Sequence, residues 1–230
     1  MIKPVQLIIT TAKTEHQYKQ TPFYQAIKKY TEIYDYNLFN IAINEKNSQS
    51  LSSVYNRWLI DGFKNTILVF VHDDVLIEDS HLIEKLNIAM ETYDLVGLAG
   101  TTGPIIVKKP VLWHLLADKN TWRGAVAHFT DKTLKSRFMT PFGETPSRVM
   151  LIDGLFMAIN VEKFLDKKIT FDKQNPSYWN FYDLDICLAA NKAGLKTGVY
   201  PIWTTHLSHG LETPTQDWEV GQKWFINKWT

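Results

Sequence analysis

The sequence predicts an α/β fold whose central sheet is mostly parallel and flanked by helices. Two observations predict it. Through residues 1–100, short β-rich segments alternate with segments of helical spacing, and strands that alternate with helices form parallel, doubly wound sheets. The chain also has 230 residues, 45% of them apolar and 21% charged, which is typical of one globular domain with its own core.

The first half has the most regular pattern. Runs of aliphatic and β-branched side chains predict strands at residues 5–11, 36–44, 66–71 and 95–100. Apolar residues at helical intervals predict helices at residues 23–30, at 50–63, and from an N-cap at Ser80 to residue 93. Because ligands bind at the carboxyl ends of such strands, polar residues should share one rim of the sheet. These residues are Thr10, Thr11, Asn44, Glu45, His72, Asp73 and Asp74.

The second half is less regular. Residues 101–148 include four prolines and show no sustained period, so we expect loops and short strands there. The segments that follow are predicted to be a strand at 150–160 interrupted at Asp153-Gly154, a helical turn at 161–165, a helix at 183–193 closed by Gly194, an extended segment at 197–205 and a helix at 217–229.

Charge and cysteine content exclude several classes of partner and site. The 25 basic and 24 acidic residues give a net charge of +1, so no overall positive field holds nucleic acid or an anionic membrane. The single cysteine, Cys187, excludes an internal disulfide and a cysteine-rich zinc site, and it suits a reducing compartment. We therefore expect a cytoplasmic protein. Trp218, Phe225 and Trp229 should cover the core or a dimer face.

Asp73 and Asp74 form the first candidate site, directly after the most apolar strand. Two carboxylates at a strand end offer the hard oxygen ligands that magnesium or manganese prefers. Aspartate is also common in polar turns that follow buried strands. The position at the ligand rim of the sheet favours the metal site.

Asp183 and Asp185 form a second candidate site, and two histidines form a third. Residues two apart do not share a helix face, so both carboxylates reach one site only if Asp183 lies at the helix entrance. The alternative is a helix N-cap, a position that aspartate favours. His206 and His209 follow an extended segment, where neutral imidazoles would complete a metal site or serve only the structure.

Several segments, in this order, resemble the family 2 glycosyltransferases of the GT-A fold. Residues 69–75, Val-Phe-Val-His-Asp-Asp-Val, resemble their Asp-x-Asp segment, and residues 152–159 resemble their mid-chain strand with a glycine. Residues 181–188, followed by Ala193-Gly194, are similar to their acidic catalytic motif and its helix, and residues 203–206 to their downstream histidine segment. Upstream, residues 50–56 are similar to the helix behind the nucleotide site.

The resemblance implies a role for each matching residue. Asp74 matches the metal-binding second acid, and His206 matches the metal or diphosphate contact. Asp183 matches the catalytic base, with Asp185 supporting it. Contacts with the nucleotide or donor are implied for Thr11, Asn44, Glu45, Asn56, His72, Asp73 and Asp153. His72 departs from the family pattern because an acid usually stands at its position.

The aromatic run before Asp183 has two readings. Trp179 and Tyr182 in this run would stack on the acceptor sugar, or they would pack where the loop meets the sheet.

Together these matches imply an inverting, metal-dependent glycosyltransferase. With Mn²⁺ or Mg²⁺ it would move a sugar from a nucleotide-sugar donor, a UDP-sugar being favoured, to a glycan or a lipid-linked acceptor. Residues 1–100 would form the nucleotide-binding half of a single domain, and residues 101–230 the acceptor-binding and catalytic half. The protein would act in the cytoplasm, with a lipid-linked acceptor at the inner face of the membrane. Peripheral membrane association and a homodimer stay open.

Two other functions stay open at this point. A sugar nucleotidyltransferase shares an acidic strand end and a metal, but usually adds a glycine-rich, basic phosphate loop after the first strand. The segment Thr10-Thr11-Ala12-Lys13 is not such a loop. A catalytically degenerate sugar-binding or scaffold protein would keep the fold, and His72 in place of an acid is the feature that favours it.

Overall fold

The structure is a computed structural model that describes residues 2–34, 39–207 and 215–230. It has the predicted mixed α/β architecture, with a central sheet flanked by helices. Its strands are β1 (Val5–Thr11), β2 (Phe39–Ile43), β3 (Ile67–His72), β4 (Val75–Ile77), β5 (Leu95–Gly97), β6 (Ala99–Thr101), β7 (Trp122–Phe129), β8 (Arg137–Gly143), β9 (Ser147–Val149), β10 (Leu151–Ile152), β11 (Phe156–Asn160), β12 (Thr197–Val199) and β13 (Thr204–His206). Its helices are α1 (Glu15–Lys19), α2 (Pro22–Tyr34), α3 (Leu51–Tyr55), α4 (Leu82–Thr92), α5 (Val161–Asp166), α6 (Tyr182–Lys192) and α7 (Gln216–Trp229).

The larger sheet has the strand order β2-β1-β3-β11-β5-β12-β9. Strands β2, β1 and β3 are parallel, as the alternation of strands and helices predicts. Strand β11 enters between β3 and β5 and is antiparallel to both. Because β11 runs in the opposite direction, the residues just before it lie beside the carboxyl end of β3, where Phe156 is paired with Val71.

The smaller sheet has the order β10-β6-β7-β13-β4, and β8 pairs with β7. Strands β7 and β8 form a long antiparallel hairpin within the segment for which we expected loops and short strands. Pro141 lies within β8 opposite Ala125. Strand β8 has its ladder on the β7 side, and such an edge strand tolerates a residue that has no N–H to donate.

Three sequence-based boundaries are wrong. The helix expected at 50–63 ends at Tyr55, and Ile60 is already extended before a 3₁₀ turn at Asp61–Phe63. Ser80 is not the N-cap of α4, because His81 holds that position and its N–H donates to Asp79. The strand expected at 95–100 divides into β5 and β6, which belong to different sheets. Residues 36–38 of another expected strand lie outside the described ranges.

Other elements follow the prediction closely. Strand β1 has the predicted bounds, and α6 ends before Gly194, whose φ of +83° suits a glycine beyond a helix end. Trp218 and Phe225 of α7 are buried in the core, as expected. Cys187 is fully buried within α6, and burial raises the pKa of its thiol. No helix in the described ranges is long and apolar enough to cross a membrane.

Gly124 of β7 pairs with Ala99, the first residue of β6. Its φ is +89°, and a Cβ built there would overlap the carbonyl oxygen of Leu98. We expect Gly124→Ala to lower the free energy of unfolding by at least about 2 kcal/mol, because the backbone must shift. Urea unfolding measures the change. Gly62→Ala is the matched control, since a Cβ there meets no atom within 4 Å; equal stability of the two variants would contradict the strain.

Candidate active site

A cleft with a volume of about 1040 Å³ lies at the carboxyl ends of β1 and β3. Its lining includes the polar turn after β3, the start of α6 and the β7–β8 hairpin. The sequence-predicted residues that line it are Thr10, His72, Asp73, Asp74, Asp153, Trp179, Tyr182, Asp183 and His206. Residues 74 and 183 therefore share one cleft.

His72, Asp74 and His206 form a compact cluster, and their ligand atoms lie within 4.8 Å of one another. Strand β3 ends at His72, and the chain turns at Asp74 into β4. Strand β13 pairs antiparallel with β4 so that His206 lies opposite Val75, next to Asp74. Pairing between distant strands thus brings the histidine to the carboxylate, with 3.2 Å between His206 Nε2 and Asp74 Oδ1.

The donor set of this cluster fits a divalent cation. His206 is only 8% exposed, and its Nε2 atom, although 3.2 Å from Asp74 Oδ1, makes no contact with the geometry of a hydrogen bond. A buried polar atom without a partner is costly and suggests that something else satisfies it. Burial opposes ionisation of Asp74, but the neighbouring imidazoles of His206 and His72 hold its pKa below the usual value. A charged carboxylate and neutral imidazoles are suitable metal ligands.

Tyr182 connects this cluster to α6. Its hydroxyl shares a hydrogen bond of 2.8 Å with His72 Nε2 and donates to the carbonyl of Gly154 at 3.3 Å. Burial and the neighbouring His206 lower the pKa of His72, so its ring is neutral near pH 7. An imidazole that donates from Nε2 to a phenol oxygen keeps a lone pair on Nδ1.

Asp183 lies at the entrance of α6, as the sequence required for a shared site. Its Oδ2 atom accepts a hydrogen bond of 3.0 Å from the N–H of Gly154. Burial, and then the charge of Asp153, raise the pKa of Asp183 to about 7. Any Cβ at Gly154 would lie 2.6 Å from the Tyr182 hydroxyl and 2.9 Å from Asp183 Cβ. Only glycine therefore allows this close approach of the turn before β11 to α6.

Asp73 points to a different set of partners. Its Oδ2 atom accepts hydrogen bonds from Thr11 Oγ1 at 2.5 Å and from Lys13 Nζ at 2.7 Å. Lys13 lines the cleft, although the sequence pattern did not identify it as a site residue. The signal that could have identified Lys13 is its position two residues beyond Thr11, the last residue of the first strand.

Aromatic side chains from the second half form one wall of the cleft. Trp113, Trp122 and Phe142 pack edge to face, with ring centroids 5.1–6.1 Å apart. The indole N–H of Trp113 donates to Asp153 at 2.9 Å, which orients that carboxylate. The sequence could not assign these residues, because residues 101–148 showed no period that distinguished a cleft wall from a loop.

Several sequence-predicted residues contact the protein backbone or other elements and do not line the cleft. The side-chain amide of Asn44 is hydrogen-bonded to the backbone N–H and C=O of Gln49. The side-chain amide of Asn56 is bonded in the same way to the backbone of Phe171. Glu45 is exposed in a 3₁₀ turn.

Asp185 also lies away from the cleft lining. It is buried, and its Oδ1 atom lies 2.7 Å from Lys228 Nζ and 2.9 Å from Trp229 Nε1, both on α7. Burial raises its pKa, and the ion pair with Lys228 offsets part of that effect. His209 lies outside the described residues.

Comparisons with known proteins bear on the family and the fold of this chain. The model of a family described as "Glycosyltransferase like family" matches residues 7–229, whereas no curated protein matches the chain. The structure of GalNAc-T7 with UDP, GalNAc and Mn²⁺ is similar, with a TM-score of 0.56 and 11% identity over 98% of this chain. The match covers 48% of that protein, so the chain spans about half its length.

Two further solved structures are similar at lower TM-scores. A glycosyltransferase involved in the glycosylation of the major capsid of PBCV-1 has a TM-score of 0.43 and 12% identity over 98% of this chain and 99% of its own. The 4-diphosphocytidyl-2C-methyl-D-erythritol synthase from Anaerococcus prevotii has a TM-score of 0.44 and 10% identity over 98% of this chain and 99% of its own.

The pKa of Asp183 predicts how stability depends on pH. It is about 7 in the folded chain, against 3.8 for an unperturbed carboxyl. The folded chain therefore binds this proton more tightly, and the resulting stabilisation, complete below about pH 4, is lost as the pH rises to about 7. Asp183→Asn carries no such proton, so its stability relative to the wild type should increase over that interval and stay constant above it. Urea unfolding between about pH 5 and 8 measures this.

The exposed Asp61, at the opposite end of β3, supplies the matched control. Asp61→Asn should differ from the wild type by the same amount at each pH in that range. If the stability difference between Asp183→Asn and the wild type did not change with pH, the pKa of the Asp183 carboxyl would not be raised in the folded chain.

Proposed function

The chain belongs to the glycosyltransferase-like family, and from that premise we propose that it is an inverting, metal-dependent enzyme. It transfers a sugar from a nucleotide-sugar donor, with a UDP-sugar favoured, to a hydroxyl group of a glycan or lipid-linked acceptor. One observation carries the proposal: the His72–Asp74–His206 cluster and the carboxyl of Asp183 line the same cleft.

The residues that would hold the cation are Asp74 and His206, joined by His72, which the sequence had assigned to donor binding. A bound divalent cation would neutralise the charge that develops on the departing nucleoside diphosphate. A ligand set of one carboxylate and two imidazoles favours Mn²⁺ over Mg²⁺, because Mg²⁺ prefers oxygen ligands. GalNAc-T7, which has a similar fold, was solved with Mn²⁺ and UDP, and we propose the same classes of ligand for this chain.

Asp183 is the proposed general base. A pKa of about 7 is well suited to accepting a proton at neutral pH, a contribution of about 10²–10⁴ in rate. The acceptor oxygen attacks the anomeric carbon on the face opposite the diphosphate. The bond from that carbon to the diphosphate oxygen breaks, the hydroxyl proton passes to Asp183, and the configuration inverts.

The neighbouring side chains suggest where each substrate binds. We propose that Lys13 and Asp73, which line the cleft and are joined by a hydrogen bond, contact the nucleotide. Thr11 was predicted to make such a contact, but it is 1% exposed and does not line the cleft, and its hydroxyl instead donates to Asp73. Asp153 and the exposed indole of Trp179 would contact the sugars beside Asp183.

Four further residues would act by holding structure. Asn44 and Asn56 fix loops through backbone contacts, and Tyr182 orients His72. Asp185 fixes α6 to α7.

The second candidate is a catalytically degenerate sugar-binding protein. It is considered because His72 stands where the family usually has an acid. The position of His72 beside Asp74 and His206 favours the enzyme, because an imidazole in that cluster supplies a ligand. The proposed location is the cytoplasm, at the inner face of the membrane when the acceptor is lipid-linked.

Metal and nucleotide should stabilise the protein together. We expect Mn²⁺ plus UDP to raise the melting temperature more than either alone, because ligands that bind only the folded state stabilise it by mass action. Thermal unfolding measures the shift. His206→Ala should lose the extra rise in melting temperature that Mn²⁺ and UDP give only together. His16→Ala, which removes an exposed histidine, should keep it. No shift with any nucleoside diphosphate would count against the transferase.

Asp183→Asn should keep nucleotide binding and lose catalysis by about 10²–10⁴-fold, because the amide cannot accept the proton. A screen of nucleotide sugars for metal-dependent hydrolysis needs no known acceptor and identifies the donor for this measurement. The matched Asp61→Asn variant should hydrolyse that donor at the wild-type rate. An unchanged rate in Asp183→Asn would remove Asp183 from the role of base.

A further inference from the structure

The loop that leads into Asp183 is held by the terminal helix. We call residues 175–181 the entry loop. Trp179 and Asn180 of this loop line the cleft, and Phe181 is the N-cap residue of α6, two positions before Asp183. The position of the entry loop therefore determines both one wall of the cleft and the start of the helix that carries the proposed base.

Asp217, in the first turn of α7, accepts three hydrogen bonds from the entry loop. Its Oδ2 atom accepts from Ser177 Oγ at 2.5 Å and from Asn180 Nδ2 at 3.0 Å, and its Oδ1 atom accepts from the backbone N–H of Tyr178 at 2.8 Å. Ser177 is 1% exposed. Its hydroxyl oxygen also accepts from the N–H of Asn180 at 3.0 Å. One carboxylate thus satisfies donors on three of the four residues from 177 to 180.

Phe181 gives a second, independent reason why α7 matters here. Its φ is +65° and its ψ is −5°, a left-handed conformation that a bulky residue adopts only when its surroundings enforce it. Those surroundings come from α7. The rings of Trp218 and Phe225 lie 5.6 Å and 6.0 Å from the Phe181 ring, and a Cβ at Gly221 would lie 2.6 Å from Phe181 Cδ2.

We propose that Asp217 is a positioning residue for the transfer reaction, acting through the entry loop on Trp179 and Asp183. This proposal rests on the proposed function, since it assigns Asp183 the role of base. The hydrogen bonds fix the loop backbone, and the packing of α7 then keeps Phe181 in the conformation from which α6 starts. Charge-assisted hydrogen bonds from several donors to one carboxylate hold a loop more firmly than neutral ones.

A simpler reading is that Asp217 only stabilises α7, because an acid in the first turn interacts favourably with the helix dipole. Glu219 lies in the same turn, carries the same charge and is exposed. Any effect of the dipole or of net charge should appear equally in Glu219→Gln and in Asp217→Asn. An effect through the entry loop should appear only at Asp217.

The experiment compares Asp217→Asn, Asp217→Ala and Glu219→Gln with the wild type in the full chain. Hydrogen–deuterium exchange of backbone amides over residues 175–186 reports the entry loop and the start of α6. We expect exchange there to become about tenfold faster or more in both Asp217 variants and to stay unchanged in Glu219→Gln. Circular dichroism and melting temperature identify a variant that fails to fold, and Asp217→Asn, which keeps the side-chain shape, is the milder change.

The kinetic measurement separates positioning from binding. With Mn²⁺ and the donor found by hydrolysis screening, we expect kcat to fall about 10–100-fold in the Asp217 variants, because a base misplaced by about 1 Å can cost that much. UDP affinity should change less than about twofold, since Asp217 lies away from the cleft lining. Rapid exchange with an unchanged kcat, or unchanged exchange, would overturn the proposal. If the wild type hydrolyses no nucleotide sugar, the proposed function fails, and the exchange data still decide whether Asp217 holds the loop.

Discussion

The hydrogen bond between His72 and Tyr182 is the contact on which the arrangement of the site depends. It joins the carboxyl end of β3, which carries Asp74, to the first residue of α6, which is followed by Asp183. Burial raises the pKa of the Tyr182 phenol well above its usual value, so the hydroxyl keeps its proton. The buried hydroxyl of Tyr182 needs hydrogen-bond partners, and the half-buried imidazole of His72 supplies one of them. The absence of a side chain at Gly154 makes the approach possible.

The parts of the fold that could be predicted are those for which a local pattern decides the structure. Strand β1 and helices α6 and α7 have strong periodicity or clear end signals, and their bounds were close to the prediction. The β7–β8 hairpin could not be predicted, because Pro141 indicates a loop unless the strand is known to lie at an edge. The division of residues 95–100 between two sheets depends on partners that are distant in sequence.

The candidate site divides in the same way. The topological rule placed Asp74 at the rim of the sheet, whereas Asp183 was assigned through the family resemblance, because its position at a helix start also suited an N-cap. His206 reaches Asp74 only through the register of β13 on β4, which no local signal specifies. In sequence, Asp185 resembled a second acid that supports the base. Residues two apart do not share a helix face, however, and Asp185 faces Lys228. Asn44 and Asn56 looked like ligand contacts, and their amides are instead bound to the backbone.

The burial of Cys187 has a practical consequence for spectroscopy. It is the only thiol in the sequence, it is fully enclosed, and its pKa is raised by burial, so little thiolate forms to react with a maleimide or a nitroxide reagent. A cysteine introduced at an exposed position such as Tyr178 would then take up a spin label or a fluorophore alone. With a second cysteine at an exposed position of the β7–β8 hairpin, the distance between the two labels could be followed without first removing a natural thiol.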